Sequence, residues 1–89
     1  MDEQTIFNRI VDIIAAEFPD NDEPITRNTT AEDVAGWDSI AHVGLMAAIE
    51  EAFGIRFTPV EIVSFAEVGG VVRSVAEKLA AAGGAAAAS

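Results

Sequence analysis

The chain contains no cysteine. No disulfide framework and no thiolate metal site can therefore be built from it. That absence suits a reducing compartment, and a cytoplasmic location is the expectation. Positive charge is also scarce: five Lys and Arg stand against fifteen Asp and Glu, a formal net charge of −10. The scarcity argues against nucleic acid, whose affinity comes largely from Lys and Arg on phosphates. It argues equally against stable association with an anionic membrane surface. Basic protein partners, steered in by long-range attraction, are favoured instead. The plainer reading is that excess charge keeps a small protein soluble. Long apolar runs are missing, so no transmembrane helix is expected. The opening MDEQTIFNRI carries acids where a signal peptide would carry a basic region. With 89 residues, the chain suits one small monomeric domain with a modest core.

What is present is helical periodicity. Over residues 4–18, Phe7, Val11, Ile14 and Phe18 recur at helical spacing, flanked by Ile6, Ile10 and Ile13. Pro19 and the polar run to Pro24 end that helix. A long polar loop follows to about residue 37, with Ile25, Val34 and Trp37 as expected anchors into the core. A loop of that length usually has a function or local structure of its own. A second helix should open at Asp38-Ser39, with Asp38 as N-cap. Its stripe is Leu45, Ile49 and Phe53, with Met46 beside it, and Gly54 stands where a glycine would stop it. Thr58-Pro59-Val60-Glu61 is a capping-box pattern with Pro at the first helical position, so it should start a short third helix. Ser64 to Glu67 repeats that spacing before the last helix, whose buried face is Val68, Val71, Val72, Val75 and Leu79. Gly69 and Gly70 should weaken its first turn. No strand pattern occurs. The fold class is all-α: a small antiparallel four-helix bundle, three main helices and one short one, with a long first loop. Residues 1–82 form the domain and 83–89 are expected to be a flexible Ala/Gly tail.

The informative segment is Gly36-Trp37-Asp38-Ser39-Ile40, followed by a helix ending Ile49-Glu50-Glu51-Ala52-Phe53-Gly54-Ile55. With the upstream loop, the Pro-initiated short helix and the Phe65-x-x-Val68-Gly69 entry to the last helix, it resembles the attachment region of the acyl carrier protein family. The resemblance covers the chain from the first helix to about Leu79. It implies that Ser39 is esterified to 4'-phosphopantetheine from coenzyme A, with Asp38 as motif residue and helix cap. It further implies a carrier of acyl or related carboxylic acid thioesters rather than an enzyme, with no catalytic residue or metal of its own. Its partners would be a phosphopantetheinyl transferase and enzymes that load and process the cargo. The alternatives are an aminoacyl or peptidyl carrier, or an acidic helical interaction module without covalent chemistry. Ile40 replaces the family's usual Leu. Ala41, His42, Val43 and Gly44 stand where many fatty-acid carriers have acids. The run is more similar to free-standing carriers of polyketide, aminoacyl or surface-polysaccharide routes.

The physics of the segment agrees without the family. Ser39 lies at a helix N-terminus, where free N–H groups and the macrodipole favour a phosphodiester. A helical projection turns Leu45, Ile49 and Phe53 to the core and Ile40, Gly44, Ala47 and Glu51 to the opposite side, with Val43 and Glu50 at its edge. Ile40, Val43, Ala47, Glu50 and Glu51 therefore form the expected partner face, a small apolar contact with an acidic rim. The single histidine, His42, lies three residues after Ser39, but a Ser–His hydrolase lacks an orienting third group and an oxyanion site here. His42 is expected to pack beside the loop or contact the arm. Trp37 is expected to be a core staple. Asp20, Asp22 and Glu32 fail the EF-hand pattern, since Pro24 and Ile25 occupy its fifth and sixth positions. The net charge itself leads to a test. Mutual repulsion of carboxylates is screened by salt, so the melting temperature should be higher at about 0.5 M than at about 0.02 M sodium chloride, over which the screening length shrinks several-fold. A flat or falling response in a thermal melt would mean that local ion pairs outweigh net repulsion.

Overall fold

The described residues form four α-helices and one short 3-10 turn: α1 (Glu3–Glu17), the turn at Ala31–Asp33, α2 (Ser39–Phe53), α3 (Pro59–Ser64) and α4 (Val68–Ala88). The computed structural model describes residues 2–88, with side chains described up to residue 82. No strand occurs among the described residues. This is the all-α bundle of three main helices and a short one that the periodicity predicts. α1 packs against both α2 and α4.

Helix α1 starts at Asp2, whose carboxylate accepts the Thr5 N–H at 2.7 Å. That bond holds the Asp2 carboxyl below its ordinary value. Ile6, Ile10 and Ile14, spaced at i, i+4 and i+8, are fully buried, and Phe18 closes the stripe. Phe7 and Val11, expected at the centre of this face, are only half-buried. The buried face is turned by one residue from that expectation, and Phe7 sits at its border, where the Arg27 guanidinium lies 5.2 Å from the ring centroid. On α2 the projected core residues Leu45 and Ile49 are buried together with Met46, and Phe53 packs partly against them. Gly54 stops α2 in the left-handed region, at φ 66° and ψ 38°, a conformation that costs a residue with a Cβ more than glycine. The Thr58–Glu61 capping box of α3 forms reciprocally: Glu61 accepts the Thr58 N–H at 2.7 Å and Thr58 Oγ1 accepts the Glu61 N–H at 3.2 Å.

The opening of α4 departs from its expected form. Ser64 is the last residue of α3, and its hydroxyl donates to the Val60 carbonyl at 2.6 Å, so Ser64–Glu67 is not a capping box. The first N–H groups of α4 are taken by the long loop instead. Val68 donates to the Thr29 carbonyl at 2.8 Å and Gly69 to the Arg27 carbonyl at 2.7 Å. Orphan donors of a helix start accept any well-placed carbonyl, and here tertiary structure supplies it. The loop is organised to do so. Thr29 is buried, its Oγ1 accepts the Thr26 N–H at 2.8 Å, and at the 3-10 turn the Asp33 carboxylate accepts the Thr30 N–H at 2.9 Å and the Thr30 hydroxyl at 3.1 Å. Val34 is buried, while Ile25 and Trp37 pack partly against the core, as anchors of the loop. The backbone of α4 continues through residues 83–88, and Ser89 of the expected tail lies outside the described residues.

Two glycines in helices are thereby distinguished. A Cβ on Gly69 would lie 2.9 Å from the Arg27 carbonyl oxygen, whereas one on Gly44 would meet nothing within 4 Å. Gly69→Ala should therefore destabilise the fold by about 1–3 kcal/mol. Gly44→Ala should stabilise it by about 0.5–1 kcal/mol. Urea unfolding of both variants checks this, and equal shifts of the same sign would contradict the loop–α4 contact.

Candidate functional site

Ser39 is exposed as the first residue of α2. Asp38 precedes it in extended conformation, and its Oδ1 accepts the Ala41 N–H at 2.8 Å. The Asp38 carbonyl accepts the His42 N–H at 2.8 Å. Asp38 therefore satisfies the Ala41 and His42 N–H groups, while the N–H groups of Ser39 and Ile40, at the very start of the helix, have no intrahelical acceptor. The hydroxyl lies on the rim of an open groove of about 570 Å³. Ser39, His42 and Val43 wall one side of the groove; Ile62, Val63 and Phe65 wall the other. Trp37 and Val71 also line it, so its floor reaches a core residue of α4.

An aromatic series closes the foot of the groove. Phe18 stacks on Trp37, with centroids 5.6 Å apart and planes at 15°. The rings of Trp37 and His42 are also near-parallel, at 20°, with centroids 5.9 Å apart. The Trp37 indole N–H donates to His42 Nδ1 at 2.9 Å, and His42 Nε2 lies 2.8 Å from the Ile62 carbonyl. An indole N–H only donates, so Nδ1 is the acceptor and Nε2 carries the proton that goes to Ile62. Both ring nitrogens are thus occupied, leaving no lone pair to take a proton from Ser39. The Ser–His hydrolase arrangement does not form, and His42 packs beside the loop.

The other singled-out residues are placed as follows. Ile40, Val43, Ala47 and Glu51 all lie on the exposed side of α2. Glu50 is half-buried, and its Oε2 accepts the Phe57 N–H at 2.7 Å. It therefore secures the α2–α3 connection as well as bordering the outer face. Two further exposed residues come from α3: Val60 and Val63 are 72% and 82% exposed, comparable with Ile40 at 85% and Val43 at 60% on α2. Sequence reasoning missed the α3 pair because a six-residue helix shows too little periodicity to assign a face. Beside them, Glu61 pairs with Lys78 Nζ of α4 at 2.9 Å. The bond from the Thr58 N–H, and then the contact with Lys78, hold the Glu61 carboxyl below its ordinary value. No group of three or more potential metal-ligating side chains occurs among the described residues.

Comparison with known proteins agrees with this geometry. The phosphopantetheine attachment site family matches residues 8–75. The acyl carrier protein of Lactobacillus acidophilus is 35% identical over 72 residues, an alignment covering 81% of this chain and 90% of that protein.

Proposed function

This chain belongs to the acyl carrier proteins, which bear a covalent 4'-phosphopantetheine group and are carriers rather than enzymes, and on that footing we propose that Ser39 is the attachment residue. The observation that carries the assignment is the exposed Ser39 hydroxyl at the start of α2, on the rim of an apolar-walled groove. The residues fit the group. A phosphodiester on Ser39 would stand at the positive end of α2 beside first-turn N–H groups. The groove offers a surface along which an arm can lie. When bound, the group supplies a terminal thiol for thioester carriage. Asp38 holds the helix start in place through its bond to Ala41. The apolar walls of the groove favour an acyl or related carboxylic acid as cargo. The carrier unit is assigned to residues 1–82, where the half-buried Leu79 of α4 ends the packed face.

The partner face is proposed to be Ile40, Val43, Ala47 and Glu51 of α2, extended by Val60 and Val63 of α3. It combines a small apolar contact with acidic groups, which suits weak, repeated docking of basic partners such as a phosphopantetheinyl transferase and the loading and processing enzymes. Glu50 borders this face, but its bond to Phe57 makes Glu51 the better probe of charge.

Two outcomes follow. Incubation of the apo protein with coenzyme A and a broad-specificity phosphopantetheinyl transferase should add one phosphopantetheinyl group by intact mass, and Ser39→Ala should abolish the addition. A wild type that stays unmodified with several transferases would remove the assignment. Separately, Ile40→Asp and Glu51→Lys should each slow arm transfer or loading by about tenfold, the scale of one rim or hot-spot contact, with an unchanged helical circular dichroism spectrum. Folded variants reacting at the wild-type rate would move recognition to the long loop.

A further inference from the structure

Helix α3 is six residues long and has no fully buried side chain. A helix this short does not hold its own position. Half-buried Ile62 packs against the core, and two polar ties bracket it. On one side Glu61 meets Lys78 of α4 at 2.9 Å. On the other the Ile62 carbonyl, an acceptor in the last turn with no intrahelical donor, takes the His42 Nε2–H at 2.8 Å. The opposite edge of the same imidazole is bound to Trp37, at the foot of the groove. One rigid ring therefore spans from the loop that ends at Asp38 to the far wall of the groove.

We propose that His42 is a positioning residue that clamps α3 to α2 and so sets how much of an apolar chain the groove admits beside Ser39. The inference rests on the carrier reading for its cargo, but the clamp is a property of the unmodified chain. Its reason is geometric. The near wall of the groove is Ser39, His42 and Val43, and the far wall is Ile62 and Val63. The His42–Ile62 bond joins the two walls directly, so their separation is limited by the length of an imidazole. With that bond absent, α3 keeps the Lys78 tie on its other side and can tilt away from α2. The groove then widens toward its floor at Val71, a buried residue of α4. Trp37 keeps its stack on Phe18 in either case, so the foot of the groove stays in place while the far wall moves.

Two conservative variants separate the two bonds of the ring. In His42→Asn the amide oxygen stands near the position of Nδ1 and can accept from Trp37, but the side chain falls short of Ile62. In His42→Gln the amide nitrogen reaches the position of Nε2 and can donate to Ile62. Amide hydrogen exchange is measured on the unmodified full chain. His42→Asn should raise exchange in α3 and the turn after it about fivefold, the scale of one net hydrogen bond, and leave α1 and the body of α4 unchanged. His42→Gln should restore most of the protection. The Trp37 indole N–H resonance should stay near its wild-type position in the Asn variant and move in the Gln variant.

The arm is then loaded with octanoyl or dodecanoyl groups, and thioester cleavage by hydroxylamine is followed. Wild type should cleave the two at similar rates, because the clamped groove shields no further length. The Asn variant should cleave dodecanoyl about threefold more slowly than octanoyl, the scale of burying one further methylene. Unchanged α3 exchange in the Asn variant, equal loss of protection in both variants, or the same chain-length dependence in Asn variant and wild type would overturn the proposal. A wild type that accepts no arm would instead overturn the carrier reading, and the exchange pattern alone would then decide the clamp.

Discussion

The carbonyl groups of Arg27 and Thr29 accept the first N–H groups of α4, and the remaining architecture depends on that closure. The long segment between α1 and α2 has to place its backbone polar groups somewhere, and a helix start has donors to give. Joining the two solves both problems. It also fixes the loop against the end of the bundle where α2 begins. From there the chain passes through the 3-10 turn and buried Val34 to Trp37, so the direction in which α2 starts is set by the loop and by the Asp38 cap together. Gly69 is the residue that permits this approach, since a Cβ there would press on the Arg27 oxygen.

The site inherits its character from that arrangement. Helix α2 needs two faces: Leu45, Met46 and Ile49 lie in the core, while Ile40 and Val43 remain outside. Exposed aliphatic residues are common singly. Here Val43 of α2 and Val63 of α3 line one groove with Ser39, and Ile40 and Val60 are exposed on the same two helices. The polar groups around the groove, by contrast, are paired. Asp38 caps a turn, Glu50 holds Phe57, Glu61 joins Thr58 and Lys78, and both nitrogens of His42 have partners. A site whose own polar groups are engaged in structure, with one free hydroxyl at its edge, is built to present something rather than to react with it. That agrees with a carrier, whose chemistry is supplied by the enzymes that visit it.

Most of this was legible in the chain because its signals are local. Helix spacing located α1, α2 and α4; Thr58-Pro59-Val60-Glu61 located α3; Asp38 and Gly54 marked the ends of α2; and the segment around Ser39 carried the family resemblance, which the comparisons bear out. Such signals depend on residues a few positions apart, whose interactions follow from helix geometry alone. The rotation of α1 by one residue was not legible, because Ile6 and Phe7 are both apolar and only the neighbours of each decide which is buried. The Ser64–Glu67 spacing misled for the converse reason: its local cap competed with distant carbonyls and lost.

The sequence by itself therefore determined the helices, the caps of α2 and α3, the outward face of α2 and the exposure of Ser39 at a helix start. Tertiary structure alone decided that the loop caps α4, that Val63 of α3 and Val43 of α2 line one groove, and that His42 bridges Trp37 and Ile62. Each of these joins residues far apart in the chain. The physical reason is that a hydrogen-bond donor such as the imidazole Nε2–H has no preferred partner until packing places one at 2.8 Å, whereas a capping aspartate finds its partner three residues away as soon as the helix forms.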